Sequence, residues 1–302
     1  MLLSLALLCL TGAVCAQLAD SSSAAAKAGA LYRSKKYADA LALYDVAIRE
    51  KPQVARLYYS RGLVKYALRR DTAAINDYSR AIRLGYDHYD LYHQRGLCNF
   101  LASRHKEAVA DFTAALERRK YHADSYLYRG ASYFYLAQDY KAVKDECWAI
   151  SIDSTNPLSY YFCGLARYQM KDYRPAIKDL NKAIALKEDH DYYYYRARSR
   201  YRLKEYSKAI TDFSRAIDMK PRHAESHYER GLCYLMEGED RLAINDFSMS
   251  LELKPALHAA YHYRGIAKKY ISDTQGACAD LRRSLSAGVK ASEEELKKMS
   301  CD

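Results

Sequence analysis

Residues 55–88 read ARLYYSRGLVKYALRRDTAAINDYSRAIRLGYDH. Tyr58 and Gly62 are spaced i, i+4 and so fall on one face of a helix. Ala74, Tyr78 and Ala81 stand at i, i+4 and i+7, one face of a second helix. Small residues on both faces let two antiparallel helices cross closely, and the rings fill the space beside the crossing. A hairpin of this kind cannot bury its faces alone, so it requires neighbours.

Those neighbours are copies of itself. Small residues recur at Gly62, Gly96, Gly130, Gly164, Ala197, Gly231 and Gly265, in steps of 34, 34, 34, 33, 34 and 34. A ring stands four residues earlier at Tyr58, Tyr92, Tyr126, Tyr160, Tyr193 and Tyr261, with His227 as the exception. Alanine follows twelve later at Ala74, Ala108, Ala142, Ala176, Ala209, Ala243 and Ala277. Bulky residues come next at Tyr78, Phe112, Leu180, Phe213, Phe247 and Leu281, and Glu146 is the odd member of that column. Pro52, Pro221 and Pro255 stop the second helix, because proline lacks the amide hydrogen that the helix needs.

These columns and this period resemble the tetratricopeptide repeat (TPR) family. The resemblance covers roughly residues 21–288. It implies an all-α fold, a right-handed α-solenoid of about eight antiparallel helix-turn-helix units. The period places them at 21–54, 55–88, 89–122, 123–156, 157–189, 190–223, 224–257 and 258–288. A charged amphipathic segment, Lys290 to Lys298, suits a C-terminal capping helix over 289–302. Ala197, the 33-residue step and Glu146 all predict looser packing in the middle of the array.

Composition fits an elongated protein. The chain has 31 Tyr against 6 Phe, and tyrosine buries a ring while keeping its hydroxyl wet or bonded. The net charge of +11 is spread along the chain rather than clustered, which argues against nucleic acid as partner. The opening MLLSLALLCLTGAVCAQ reads as a signal peptide over 1–16, cleaved between Ala16 and Gln17 or lipidated at Cys15. It carries no Lys or Arg before its apolar run, and that run is too short to span a bilayer, so no integral membrane span is expected. The reading is of an exported protein, periplasmic, outer-membrane-associated or secreted, from a bacterial envelope.

Two columns carry charge. Arginine precedes the small column at Arg61, Arg95, Arg129, Arg196, Arg230 and Arg264, and aspartate recurs at Asp77, Asp111, Asp145, Asp179, Asp212, Asp246 and Asp280. A catalytic site is not copied seven times, so this reads as a structural ion pair repeated in each unit. Cys163 stands where arginine is expected, so Asp179 loses that partner, which predicts a local irregularity. Cys98 and Cys233 share a column four units apart and are expected as buried thiols. Cys278 and Cys301 flank a turn near Gly288 at similar distances, which predicts a disulfide closing the cap. Cys147 and Cys163 lie on successive helices and are a second candidate pair.

The first helices carry a further stripe, which the family resemblance assigns to the ligand-binding groove. Its expected groove residues are Tyr59, Tyr66, His93, Phe100, Leu127, Phe134, Tyr161, Tyr168, Tyr194, Arg198, Tyr201, Arg202 and Tyr228. Tyrosine and arginine are enriched at binding hot spots. The competing reading is that the stripe only packs between units. His223 and His227, like His258 and His262, are spaced i, i+4, but no Cys or carboxylate pattern accompanies them, so capping is expected rather than metal. There is no nucleophile–base pair and no phosphate loop. The sequence therefore points to a non-catalytic scaffold without a cofactor, binding a protein or peptide. The alternative is an envelope polymer, wall glycan or anionic headgroups.

Overall fold

The computed structural model describes residues 23–301. They form seventeen α-helices, and no strand occurs among the described residues. The chain divides into two compact units between Gln138 and Asp139.

The first unit contains α1 (Ala24–Arg33), α2 (Tyr37–Glu50), α3 (Ala55–Ala67), α4 (Asp71–Arg83), α5 (Tyr89–Leu101), α6 (His105–Arg118) and α7 (Ala123–Tyr135). The second contains α8 (Asp139–Ile152), α9 (Pro157–Gln169), α10 (Tyr173–Leu186), α11 (His190–Arg202), α12 (Tyr206–Met219), α13 (Ala224–Glu237), α14 (Asp240–Leu253), α15 (His258–Tyr270), α16 (Thr274–Ser286) and α17 (Ala291–Lys298). Within each unit, consecutive helices pack as hairpins. The first helices of successive hairpins also touch: α1, α3, α5 and α7 in one unit, and α9, α11, α13, α15 and α17 in the other.

The turn inside each hairpin takes a left-handed residue. Lys35, Arg69, Ser103, Lys171, Lys204 and Ser272 adopt φ between 58° and 66°, and Gly238 does so at 78°. The turn closes on the last carbonyls of the first helix, as in Arg69 N–H to Tyr66 O at 2.9 Å and Arg70 N–H to Lys65 O at 2.9 Å. These bonds satisfy groups that a helix end leaves open. At the other junction, histidine acts as a cap. The Nδ1 atoms of His88, His122 and His223 accept from the amides of Asp90, Ser125 and Ser226.

The small column does what its spacing implies. The ring of Tyr78 is fully buried against Gly62, and a Cβ there would stand 2.5 Å from Tyr78 Cε1. At Gly96 the Phe112 ring lies 2.8 Å from such an atom, and at Gly231 the Phe247 ring lies 2.9 Å away. Ala197 fills the column in the unit that follows the one a residue short, over a buried Phe213. Gly62→Ala should therefore lower stability by about 1–3 kcal/mol, because overpacking outweighs the helix propensity of alanine. The urea midpoint measures it, and a rise would mean that the Tyr78 ring yields freely.

Candidate functional site

The arginine column builds a ladder of two-pronged ion pairs. Nε and Nη2 of Arg61 donate to Asp77 at 2.8 and 2.6 Å. The same geometry recurs in Arg196 with Asp212 at 2.8 and 2.5 Å, Arg230 with Asp246 at 2.7 and 2.8 Å, and Arg264 with Asp280 at 2.8 and 2.7 Å. Arg95 meets Asp111 likewise. The free Nη1 reaches back sixteen residues to the preceding second helix: to Asp45 from Arg61, Ser79 from Arg95, Thr113 from Arg129, Ser214 from Arg230 and Ser248 from Arg264, at 2.8–3.1 Å. Arg196 does the same to Asn181 at 2.7 Å. Arg61, Arg95, Arg196, Arg230 and Arg264 thus tie their own hairpins shut and clip them to the previous ones.

Asp179 lacks the column arginine, whose place Cys163 takes, but it keeps a partner. Arg167, one turn beyond Cys163, donates to Asp179 at 2.7 Å. The position is a column of its own, where Lys65, Asn99, Arg200 and Lys268 also reach the aspartate of their hairpin. A second donor one turn away makes the loss of the first survivable.

The aromatic stripe divides by burial. In the first unit, His93 and Leu127 are interior, 6% and 1% exposed. His93 Nδ1 meets Ser125 Oγ at 2.9 Å, and burial, helped by His122, pushes its pKa down to about 4. Tyr59 stacks on Tyr86 at 5.0 Å and donates to Asp90, with burial as the main reason its hydroxyl is hard to ionise. Phe100 lies against Tyr128 and Tyr135 at 5.5 and 5.8 Å. Tyr66 is half-buried, and so is Phe134 beside Tyr135. This part of the stripe is mostly packing between neighbouring first helices.

In the second unit the stripe has a polar centre. The Arg198 guanidinium lies 5.1, 5.6 and 5.8 Å from the ring centroids of Tyr168, Tyr194 and Tyr195. Its Nε is 3.4 Å from Glu229 Oε1 on α13. Burial pushes the Glu229 carboxyl up, against the pull of Arg198 and Arg202. Arg202 is exposed, and Tyr168 beside it strengthens its hold on its charge. Tyr161 packs on Tyr192 at 4.9 Å and Tyr195 at 6.1 Å. Tyr201 packs on Tyr206 at 5.6 Å, and Tyr228 on Tyr263 at 6.2 Å. Tyr168 itself is interior, 8% exposed, so it supports the cluster rather than offering surface.

Sequence reasoning missed Tyr195 and Glu229. Both were findable. Arg198 is the lone cation in a column of Leu63, Leu97, Ala131, Leu165 and Leu232. Glu229 is the lone acid in a column of Tyr128, Phe162, Tyr195 and Tyr263. Two opposite departures in adjacent units mark a pair.

His227 and His262 are committed to protein partners. His227 meets Asp246 through Nδ1 at 3.3 Å and Pro221 O through Nε2 at 3.0 Å, while His262 meets Ser292 on α17 at 2.9 Å. That bond and Lys269 to Glu295 at 2.9 Å fasten α17 to α15. Cys278 and Cys301 are disulfide-bonded there, with Cα atoms 5.7 Å apart. Cys98 and Cys233 are buried free thiols.

The tetratricopeptide repeat family matches residues 25–85, 59–123, 164–221 and 196–257. The chain belongs to the tetratricopeptide repeat family. Among solved structures, this TPR chain resembles YrrB, described as a TPR protein with an unusual peptide-binding site, at 22% identity and a TM-score of 0.56 over 62% of this chain and 97% of that one. It also resembles the C-terminal part of a TPR repeat-containing protein from Cytophaga hutchinsonii, at 19% identity and a TM-score of 0.61, covering 76% of this chain and 95% of that one. A TPR protein from Parabacteroides merdae matches at 19% identity and a TM-score of 0.58, over 82% of this chain and 99% of that one. No curated protein matches. TPR proteins are typically interaction scaffolds, and no described helix here is long and apolar enough to cross a membrane.

Proposed function

We propose that this chain is a non-catalytic scaffold that takes a peptide or protein segment along the first-helix face of its second unit. The contact residues are Tyr161, Tyr194, Arg198, Tyr201, Arg202 and Tyr228. The observation that carries this reading is Arg198, held against three tyrosine rings and beside Glu229. An arginine fixed in this way costs little ordering entropy on binding, and aromatic neighbours supply contact area. The exposed Arg202 adds a second cation, which favours a segment carrying a carboxylate. The peptide-binding site of YrrB, a protein of similar fold, supports the class of ligand.

The setting we propose is the bacterial envelope. The apolar opening from Met1 to Leu10 and the small residues up to Ala16 support it, though they lie outside the described residues. The Cys278–Cys301 pair agrees with an oxidising compartment.

Capture from envelope extract, quantified by mass spectrometry, tests the site. The Tyr161→Ala, Tyr194→Ala, Arg198→Ala triple variant should lose at least roughly tenfold in capture, as hot-spot truncation does. Arg202→Glu, on an exposed side chain, gives the same reading with Tyr161, Tyr194 and Arg198 all kept. Unchanged capture in both would remove this face from the function. A steep fall of binding with salt would transfer the reading to a polyanionic polymer.

A further inference from the structure

The fifth unit departs from the ladder at two positions together. In the other units an arginine reaches back sixteen residues, or fifteen for Arg196, to Asp45, Ser79, Thr113, Asn181, Ser214 or Ser248. Here the arginine position is Cys163 on α9, and the residue sixteen before it is Cys147 on α8. The repeat therefore sets two thiols where every neighbouring unit sets a hydrogen-bonded clip. The two thiols act on each other's ionisation, and Asp179 acts on that of Cys163, as side chains close together do. Both are free, Cys147 exposed and Cys163 buried. Beside Cys147, α8 presents a shallow apolar apron of Tyr140, Val143 and Trp148, with Lys144 at its edge.

We propose that Cys147 and Cys163 are a redox-active thiol pair, oxidised to an intramolecular disulfide by low-molecular-weight disulfides, with Cys147 attacking and Cys163 resolving. Cys147 is the accessible nucleophile. Interaction with Cys163, with help from the Arg167 charge, outweighs burial and pulls the Cys147 thiol below its ordinary range, which favours it as the attacking group. The same interaction and burial push Cys163 up, which keeps it protonated until its partner is modified.

The chemistry balances without another reactant. The Cys147 thiolate attacks one sulfur of R–S–S–R, the S–S bond breaks, and R–S⁻ leaves to take up a proton from solvent. Cys163 then gives its proton to Asp179 and attacks Cys147 Sγ. The mixed disulfide breaks and the second thiolate leaves, receiving that proton. Two protein thiols lose two electrons, and one small disulfide becomes two thiols. The product ties α8 covalently to α9, where the other units hold adjacent hairpins by an arginine clip.

The test uses the full chain, reduced, desalted and placed in glutathione buffers of rising oxidised fraction. Free thiols are then alkylated and mapped by peptide mass. Wild type should lose the 147 and 163 thiols together and yield one cross-linked peptide, while Cys98 and Cys233 stay reduced. Cys163→Ser should stop at a glutathione adduct on residue 147, and Cys147→Ser should leave residue 163 unmodified. Cys147→Ser with Cys163→Arg restores the clip of the other units, and should fold and ignore the oxidant. The proposal is overturned if wild type keeps both thiols free, or collects an adduct on 147 without closing, in buffers that re-form Cys278–Cys301.

Discussion

Arg230→Ala should lower stability by about 3–5 kcal/mol, the usual consequence of leaving one member of a buried ion pair alone. Asp246 is 2% exposed and takes both prongs of Arg230 at 2.7 and 2.8 Å. Burial pushes this carboxyl up, but the hydrogen bonds from Arg230 and His227 prevail and hold it below the usual carboxylate range. A depressed carboxylate contributes stability above its unfolded pKa and loses it as pH falls through the folded value. In this unit Tyr234 stands where other hairpins carry a second donor for the aspartate, so only His227, at 3.3 Å, remains beside Asp246 once Arg230 is gone. Removing Arg230 also frees Ser214 of its clip at 2.9 Å. Urea unfolding followed by helical circular dichroism measures the loss. The Arg230→Ala, Asp246→Ala double variant should recover part of it, since the stranded charge is gone. A loss under about 1 kcal/mol would make the ladder a surface feature of the kind that contributes little.

Glu146→Leu should do the opposite and stabilise the protein by roughly 2–4 kcal/mol at pH 7, through removal of an unsatisfied buried acid. Glu146 is fully buried on α8, and neither carboxyl oxygen meets a hydrogen-bond partner among the described residues. Its column holds Tyr78, Phe112, Leu180, Phe213, Phe247 and Leu281, all buried. Burial, with smaller contributions from Asp145 and Cys147, pushes its pKa well up, so the folded state keeps the proton. The unfolded chain releases it near the ordinary glutamate value. Above that value the native state binds more protons than the unfolded one, so its stability falls as pH rises. The gain from Glu146→Leu should therefore shrink as pH is lowered towards about 4.5, the ordinary glutamate range. Glu146→Gln separates the two contributions, because it keeps the polar group and removes the ionisation. A Leu variant that is less stable at pH 8 would mean that the carboxyl has a structural role.

Much of this molecule was legible in the one-dimensional chain. Gly62, Ala74, Tyr78 and Ala81 lie on helix faces fixed by a 3.6-residue turn, so their spacing alone gives two helices and their contact. The Arg–Asp ladder followed as well, because a sixteen-residue offset repeated in each unit links the same two helix positions. Glu146 announced itself as the wrong residue in a bulky column, and Cys163 as a gap in the arginine column.

What the sequence could not settle was what each column faces across the stack. The stripe from Tyr59 to Tyr228 has one period, yet His93, Leu127 and Tyr168 are interior while Arg202 is exposed. Exposure depends on how closely successive first helices approach, and periodicity within one helix carries no record of that distance. Arg167 replaced the missing partner of Asp179 because a side chain one turn away could reach, a matter of length and direction in space. The meeting of Arg198 with Glu229, and of Cys147 with Cys163, was likewise decided by the offset between neighbouring helices. The sequence by itself determined the repeat and the helix faces, through local geometry. Only the tertiary structure decided which departures from the repeat meet, because those contacts cross from one helix to the next.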